Sequence, residues 1–126
     1  MEALVGEEAR RTRRSKGAVI EALAAEALKT RLYPGVAFRG VDWDRRAWVI
    51  GTALDVWQIV DAYRDFETAD RMVAESDISE RQLRLALAYY EGFPEEIDEM
   101  IERNRATAEE LRARYPTIDV FSVPAG

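Results

Sequence analysis

The sequence predicts a mainly α fold with one short β-hairpin, and three observations carry that reading. Apolar residues recur at helical spacing through most of the chain. Val36-Ala37-Phe38-Arg39 and Ala47-Trp48-Val49-Ile50 are short β-prone runs around a polar stretch, and Pro34-Gly35 and Gly92-Phe93-Pro94 punctuate the helical stretches. At 126 residues the chain fits one compact domain or two small modules. Its 48% apolar and 33% charged residues suit a folded chain, and no apolar run approaches the roughly 20 residues that span a bilayer. With no secretory pattern at the N-terminus, the cytoplasm is the expected compartment.

Residues 2–11 read as a short helix, and Ser15 is a good N-cap for a second helix from about Lys16 to Leu32. Pro34-Gly35 ends it. On that helix Val19, Ile20, Leu23 and Ala27 fall on one side, while Leu28 and Leu32 fall on another. A helix apolar on two sides needs two neighbours, and a segment of about 34 residues cannot bury such a surface alone. Homodimerisation through Val19, Leu23, Ala27 and Leu28 is therefore expected.

Gly40, Asp42, Asp44, Arg45 and Arg46 supply turn chemistry between the two β-prone runs. Gly51-Thr52 then opens a helix to about Arg64, with Val56, Trp57, Ile59, Val60 and Tyr63 on its core face and Asp55, Gln58 and Asp61 opposite. A short helix from about Glu67 to Glu75 follows. The next begins at Ser79, where Ser79-x-x-Gln82 has the form of a capping box, so the segment reads helix, tight turn, helix. Leu83, Ala86, Leu87 and Tyr90 make its core stripe, leaving Arg81, Arg84, Leu85, Ala88 and Tyr89 outward, with Gln82 beside them. Gly92 closes that helix and Pro94 starts the last one, whose first turn carries Glu95, Glu96 and Asp98 at the positive end of its dipole. Ile97, Ile101, Asn104, Ala108, Leu111 and Tyr115 recur at spacings of four and three, as in a coiled-coil seam. Thr107-x-x-Glu110 is itself a capping box, so residues 94–115 form either one helix or two. Residues 116–126, bracketed by Pro116 and Pro124, read as an extended arm with apolar Ile118, Val120, Phe121 and Val123.

The chain has no Cys and no His, which removes disulfides, thiolate metal sites, cysteine nucleophiles and imidazole triads. Glu95, Glu96, Asp98, Glu99 and Glu102 lie along one helix with no second inward carboxylate cluster, and Gly51-Thr52 stands alone rather than in a phosphate loop. No catalytic residue, cofactor or metal is expected. Binding is better supported. Residues 1–40 hold eight Lys/Arg against five Glu, a net +3, whereas ten Arg stand against nineteen Asp/Glu in residues 41–126, a net −9. Arg10, Arg11, Arg13, Arg14 and Lys16 crowd the turn before the Ser15 cap, which makes that turn the best phosphate site in the chain. The helix from Ser79 to Tyr90 allows two readings. Arg81, Gln82 and Arg84 could meet DNA as a recognition helix does, or Leu85 and Tyr89 could face a protein.

Trp48-Val49-Ile50-Gly51-Thr52-Ala53-Leu54-Asp55-Val56-Trp57, Asp77 to Tyr90 and Pro94-Glu95-Glu96-Ile97-Asp98, in order within residues 36–105, resemble the bacterial family called domain of unknown function 433. That resemblance implies a helix-turn-helix-like helical domain, in antitoxin-like proteins encoded beside a PIN-like nuclease toxin. Residues 7–32 separately resemble the two helices of a ribbon-helix-helix antitoxin module, with Arg14-Ser15 where that family has its turn. Only Met1 to about Leu4 would remain for the strand that reads DNA in that family; dimerisation and a phosphate clamp at Ser15-Lys16 do not need it.

The expected organisation is a ribbon-helix-helix-like dimerisation segment over residues 1–34, a helix-turn-helix-like domain over 35–105, and a C-terminal helix and arm over 106–126. The expected function is that of an antitoxin of a type II toxin-antitoxin pair. It would neutralise a PIN-like nuclease toxin through Leu85, Tyr89, Ile118, Val120 and Phe121, and repress its operon by binding operator DNA through Arg11, Arg13, Arg14, Ser15, Lys16, Arg81, Gln82 and Arg84. The alternative is a stand-alone helix-turn-helix transcriptional regulator.

Overall fold

The structure, a computed structural model, describes residues 1–116. Its elements are α1 (Glu2–Thr12), α2 (Lys16–Leu32), β1 (Val36–Arg39), β2 (Arg46–Val49), α3 (Val56–Phe66), α4 (Ala69–Glu75), α5 (Glu80–Gly92) and α6 (Pro94–Arg114). The fold is mainly helical with one two-stranded antiparallel sheet, paired Val36 to Val49 through Arg39 to Arg46. The arm expected over residues 116–126 lies outside the described residues from 117 onward, and with it Ile118, Val120 and Phe121.

The core is built where the hairpin, α3, α5 and the first half of α6 meet. Val36, Ala47 and Val49 come from the sheet, Val56, Ile59 and Val60 from α3, Leu83, Ala86 and Tyr89 from α5, and Ile97 and Ile101 from α6. Met72 of α4 and Ile78 of the following turn close one side. Each fully buried large side chain stabilises the fold by about 1.5–3 kcal/mol, so this cluster rather than helix propensity holds the elements together.

α3 begins at Val56, five residues later than the expected start. Asp55 is its N-cap, and its N–H donates to Gln58 Oε1 at 2.8 Å. Gly51 and Thr52 form a tight connection instead: Gly51 has φ +93°, Thr52 Oγ1 donates to the Val49 carbonyl at 2.8 Å, and Trp48 Nε1 donates to the Thr52 carbonyl at 2.7 Å. Those bonds hold the backbone in a turn that a helix would have to break. α4 likewise starts after its cap, Thr68, whose hydroxyl accepts the Arg71 N–H. The Ser79–Gln82 capping box is present.

α6 is one helix, so the domain boundary expected between residues 105 and 106 falls inside it. Thr107 does not cap a new helix: its hydroxyl donates to the Arg103 carbonyl at 3.0 Å, four residues back, which the continuous helix allows.

Two packing expectations are corrected. Val19 does not share an open face with Leu23 and Ala27; it is fully buried, although it lies outside the main core cluster. Tyr89 is not outward either. α5 is turned so that Leu83, Ala86 and Tyr89 face the core, because Tyr89 completes an aromatic cluster with Tyr33, Phe38 and Phe93. Its hydroxyl donates to Glu96 Oε2 at 2.6 Å, and Lys29 Nζ pairs with Glu96 Oε1 at 2.7 Å. This chain of contacts fastens α2 to α5 and α6. Burial, and then the bond to Glu96, holds the Tyr89 hydroxyl well above the ordinary tyrosine range.

Candidate functional site

The second half of α6 leaves the core. Ile97, Met100 and Ile101 are buried, but from Glu102 onward every described residue except half-buried Ala108 is exposed. At 1.5 Å per residue, Glu102 to Arg114 runs about 20 Å, its first turns bordering the hairpin and α3 and its last turns clear of them. Arg103 reaches Asp44 at 3.7 Å and Arg105 reaches Asp61 at 3.3 Å, both through mostly exposed arginines whose pairs contribute little. Asn104, Ala108, Leu111 and Tyr115 continue the side of the helix on which Ile97 and Ile101 enter the core. Leu111 and Tyr115 are 39% and 47% exposed. The turns beyond Thr107 have little packing to hold them as a helix in water, and the apolar stripe along them stabilises nothing until a partner covers it.

α2 exposes a second apolar face. Ile20, Leu23, Ala24, Ala27, Leu28 and Leu32 lie at the i, i+3, i+4, i+7, i+8 and i+12 positions opposite the side that docks on the body, and all are exposed. Met1, with Leu4 and Val5 of α1, meets Leu23 in a groove of about 440 Å³. Of the expected dimerisation residues, Leu23, Ala27 and Leu28 belong to this face and Val19 does not.

The expected nucleic-acid residues form two separate groups. In the first, Arg13 takes a left-handed conformation (φ 56°) in the turn between α1 and α2, and Ser15 Oγ accepts the Ala18 N–H at 3.1 Å as the N-cap of α2. Arg11 is engaged with Glu8 and Asp42, and it lowers the pKa of both carboxyls. Arg10, Arg13, Arg14 and Lys16 are exposed and make no ion pair within 4 Å among the described residues. In the second group, Arg81 is exposed, Arg84 is paired with Glu80, and Gln82 is used in the capping box. Leu85 is half-buried and closes over Gly35, where an added Cβ would meet its Cδ2 at 2.8 Å. The hairpin separates the two groups: Arg11 bonds Asp42 at its tip, whereas Leu85 and Gln82 lie against Gly35 and Gly51 at its base.

Asp55 is the buried carboxylate that sequence reasoning placed on a polar helix face. It is 4% exposed and the sole buried charged side chain among the described residues. Its Oδ1 accepts Arg39 Nε at 2.9 Å and its Oδ2 accepts Arg46 Nε at 2.8 Å and Trp57 Nε1 at 3.3 Å. Arg39 and Arg46 are directly opposite in the sheet, so two like charges share one counterion. That pairing of arginines across a predicted hairpin was the available signal. Asp55 borders a cleft of about 350 Å³ between the hairpin and α6, with Asp44, Trp57, Arg103 and Asn104. The carboxylates and Arg46 there are already paired with one another, which makes the cluster a brace.

No group of three or more metal-ligating side chains occurs among the described residues, and none of their helices is long and apolar enough to cross a membrane. Comparison with models of known protein families, with curated proteins and with solved structures finds no match.

Proposed function

We propose that this chain is an antitoxin that acts in the cytoplasm and neutralises a PIN-like nuclease by protein contact. One observation carries the reading: α6 continues past the core and presents Ala108, Leu111 and Tyr115 along a projecting helix. Such a stripe suits a groove that takes a helix by its apolar side chains. The net −9 of residues 41–126 supports capture of a nuclease, because a groove that binds RNA is positive and opposite charge speeds encounter. The exposed α2 face supports a homodimer through Ile20, Leu23, Ala27, Leu28 and Leu32. Autorepression rests on α4, the turn at 76–79 and α5: this order, with Arg81 and Arg84 exposed at the start of α5, supports a helix-turn-helix reading.

The test is rescue of growth. Cells expressing the nuclease of the adjoining gene receive the full chain, or the full chain with Leu111→Asp and Tyr115→Asp. Rescue by the first and not by the second, at equal thermal stability, is the expected result. Equal rescue by both would remove the α6 stripe from the mechanism.

A further inference from the structure

The tip of the hairpin carries a side chain that the fold leaves unused. Trp43 is 86% exposed, although a tryptophan brings 150–250 Å² of surface to any contact it makes. The tip beneath it is held from both sides. The Asp44 N–H donates to the Val41 carbonyl at 2.9 Å, Asp42 accepts Arg11 at 2.9 and 3.1 Å, Asp44 accepts Arg46 at 2.9 Å, and the Gly40 carbonyl accepts Arg45 at 2.9 Å. The Arg11–Asp42 pair also brings the α1–α2 turn to the tip, and Arg14 is near enough to help hold the Asp42 carboxyl low. The presented indole is thus one residue from Asp42, the point at which Arg11 joins the tip to the α1–α2 turn, and Arg10, Arg13, Arg14 and Lys16 on and around that turn have no ion-pair partner among the described residues.

We propose that the hairpin tip and the α1–α2 turn form a binding site for single-stranded nucleic acid, in which Trp43 stacks on a base while Arg13, Arg14 and Lys16 take the neighbouring phosphates. An aromatic platform beside a cationic track is what an unpaired strand needs, since any base offers a π-face and each nucleotide a charge. A duplex offers no free base face without unstacking. The basic groove of a nuclease would be repelled by this cluster, so the surface is distinct from the one that α6 presents. A membrane surface fits less well: Asp42 and Asp44 flank Trp43 and would have to enter the anionic headgroup layer with it.

The test uses the full chain and labelled 12-nucleotide oligo-dT and oligo-U, with a 12-base-pair duplex of mixed sequence, read by fluorescence anisotropy between 50 and 200 mM salt. Both single strands should bind more tightly than the duplex, and their ratio assigns the site to DNA or RNA. With three phosphates contacted, log affinity should fall with log salt at a slope near −2, and Arg13→Ala with Arg14→Ala should flatten it by about 1.4. Trp43→Ala should weaken single-strand binding about 5- to 100-fold, and Trp43→Phe should keep most of it. Trp43 is exposed, so these variants should unfold at the wild-type temperature, and that control accompanies them. No binding of either strand, equal affinity for the duplex, or an unchanged affinity in Trp43→Ala would overturn the proposal. So would adsorption to phosphatidylserine vesicles in the absence of strand binding.

Discussion

Replacing Asp55 by alanine would leave Arg39 and Arg46 facing each other across the sheet with no shared counterion. The wild-type carboxylate accepts one charge-assisted hydrogen bond from each arginine, at 2.9 and 2.8 Å, and Arg39 also reaches it through Nη2 at 2.8 Å. A bond of this kind contributes about 1.5–3 kcal/mol when enclosed. Here the arginine side chains are 37% and 33% exposed, so water recovers part of the loss, and about 1 kcal/mol for each pair is the appropriate scale. Losing the N-cap side chain of α3 adds up to about 1 kcal/mol. Asp55→Ala should therefore destabilise the chain by about 2–3 kcal/mol. Asp55→Asn, which keeps a carbonyl acceptor but not the charge, should cost about half as much. Urea unfolding followed by circular dichroism measures both, with an unchanged denaturant slope expected. If both variants lie within about 0.5 kcal/mol of wild type, Asp55 does not brace the hairpin against α3.

Acid should weaken the fold for a related reason. Arg11 holds the Glu8 and Asp42 carboxyls below their ordinary range, and the Tyr90 hydroxyl and then Arg64 do the same for Asp98. A depressed folded pKa contributes stability that is complete above the unfolded value, near 4, and is lost as pH falls through the folded one; the urea midpoint should drop from about pH 5 downward, less steeply in Asp98→Asn. A midpoint flat to pH 3 would contradict this. Gly40→Ala should cost about 1–3 kcal/mol, because Gly40 has φ +114° and an added Cβ would lie 2.3 Å from the Asp44 carbonyl oxygen; a neutral effect in thermal unfolding would show that the tip yields. Light scattering at micromolar concentration should find a dimer for the wild type and a folded monomer for Leu23→Asp, since Leu23 is exposed in the single chain; a monomeric wild type would refute the α2 interface.

Elements announced by local chemistry were legible in the sequence. Ser15, Ser79 with Gln82, and Pro94 mark helix starts through side-chain bonds or ring geometry that act within three residues, and the hairpin follows from two β-prone runs around a polar turn. What depended on distant partners was not. α5 carries Leu83, Leu85, Ala86, Leu87, Ala88, Tyr89 and Tyr90 around most of its circumference, so periodicity alone could not choose its inner face. The choice was made by Tyr33, Phe93 and Glu96 around Tyr89. Val19 is likewise buried by tertiary packing that its place in the helical pattern does not announce. On α6 the seam spacing is regular from Ile97 to Tyr115, yet the buried core ends at Ile101, a fact of tertiary shape that the spacing does not carry. The cationic residues of the α1–α2 turn were visible, but the neutralisation of Arg11 by Asp42, 31 residues away, was not. Nor was Trp43, an aromatic between two aspartates in a turn, where no core could receive it.

The central claim, that the projecting end of α6 captures the proposed partner, is tested most directly by titrating a purified PIN-like nuclease encoded beside this chain with the full chain in a calorimeter. The wild type should bind stoichiometrically with a submicromolar Kd. Leu111→Asp with Tyr115→Asp should weaken binding by about 100-fold, or roughly 2.7 kcal/mol, with the urea midpoint unchanged because neither side chain is part of the core. Undiminished affinity in that variant would contradict the account.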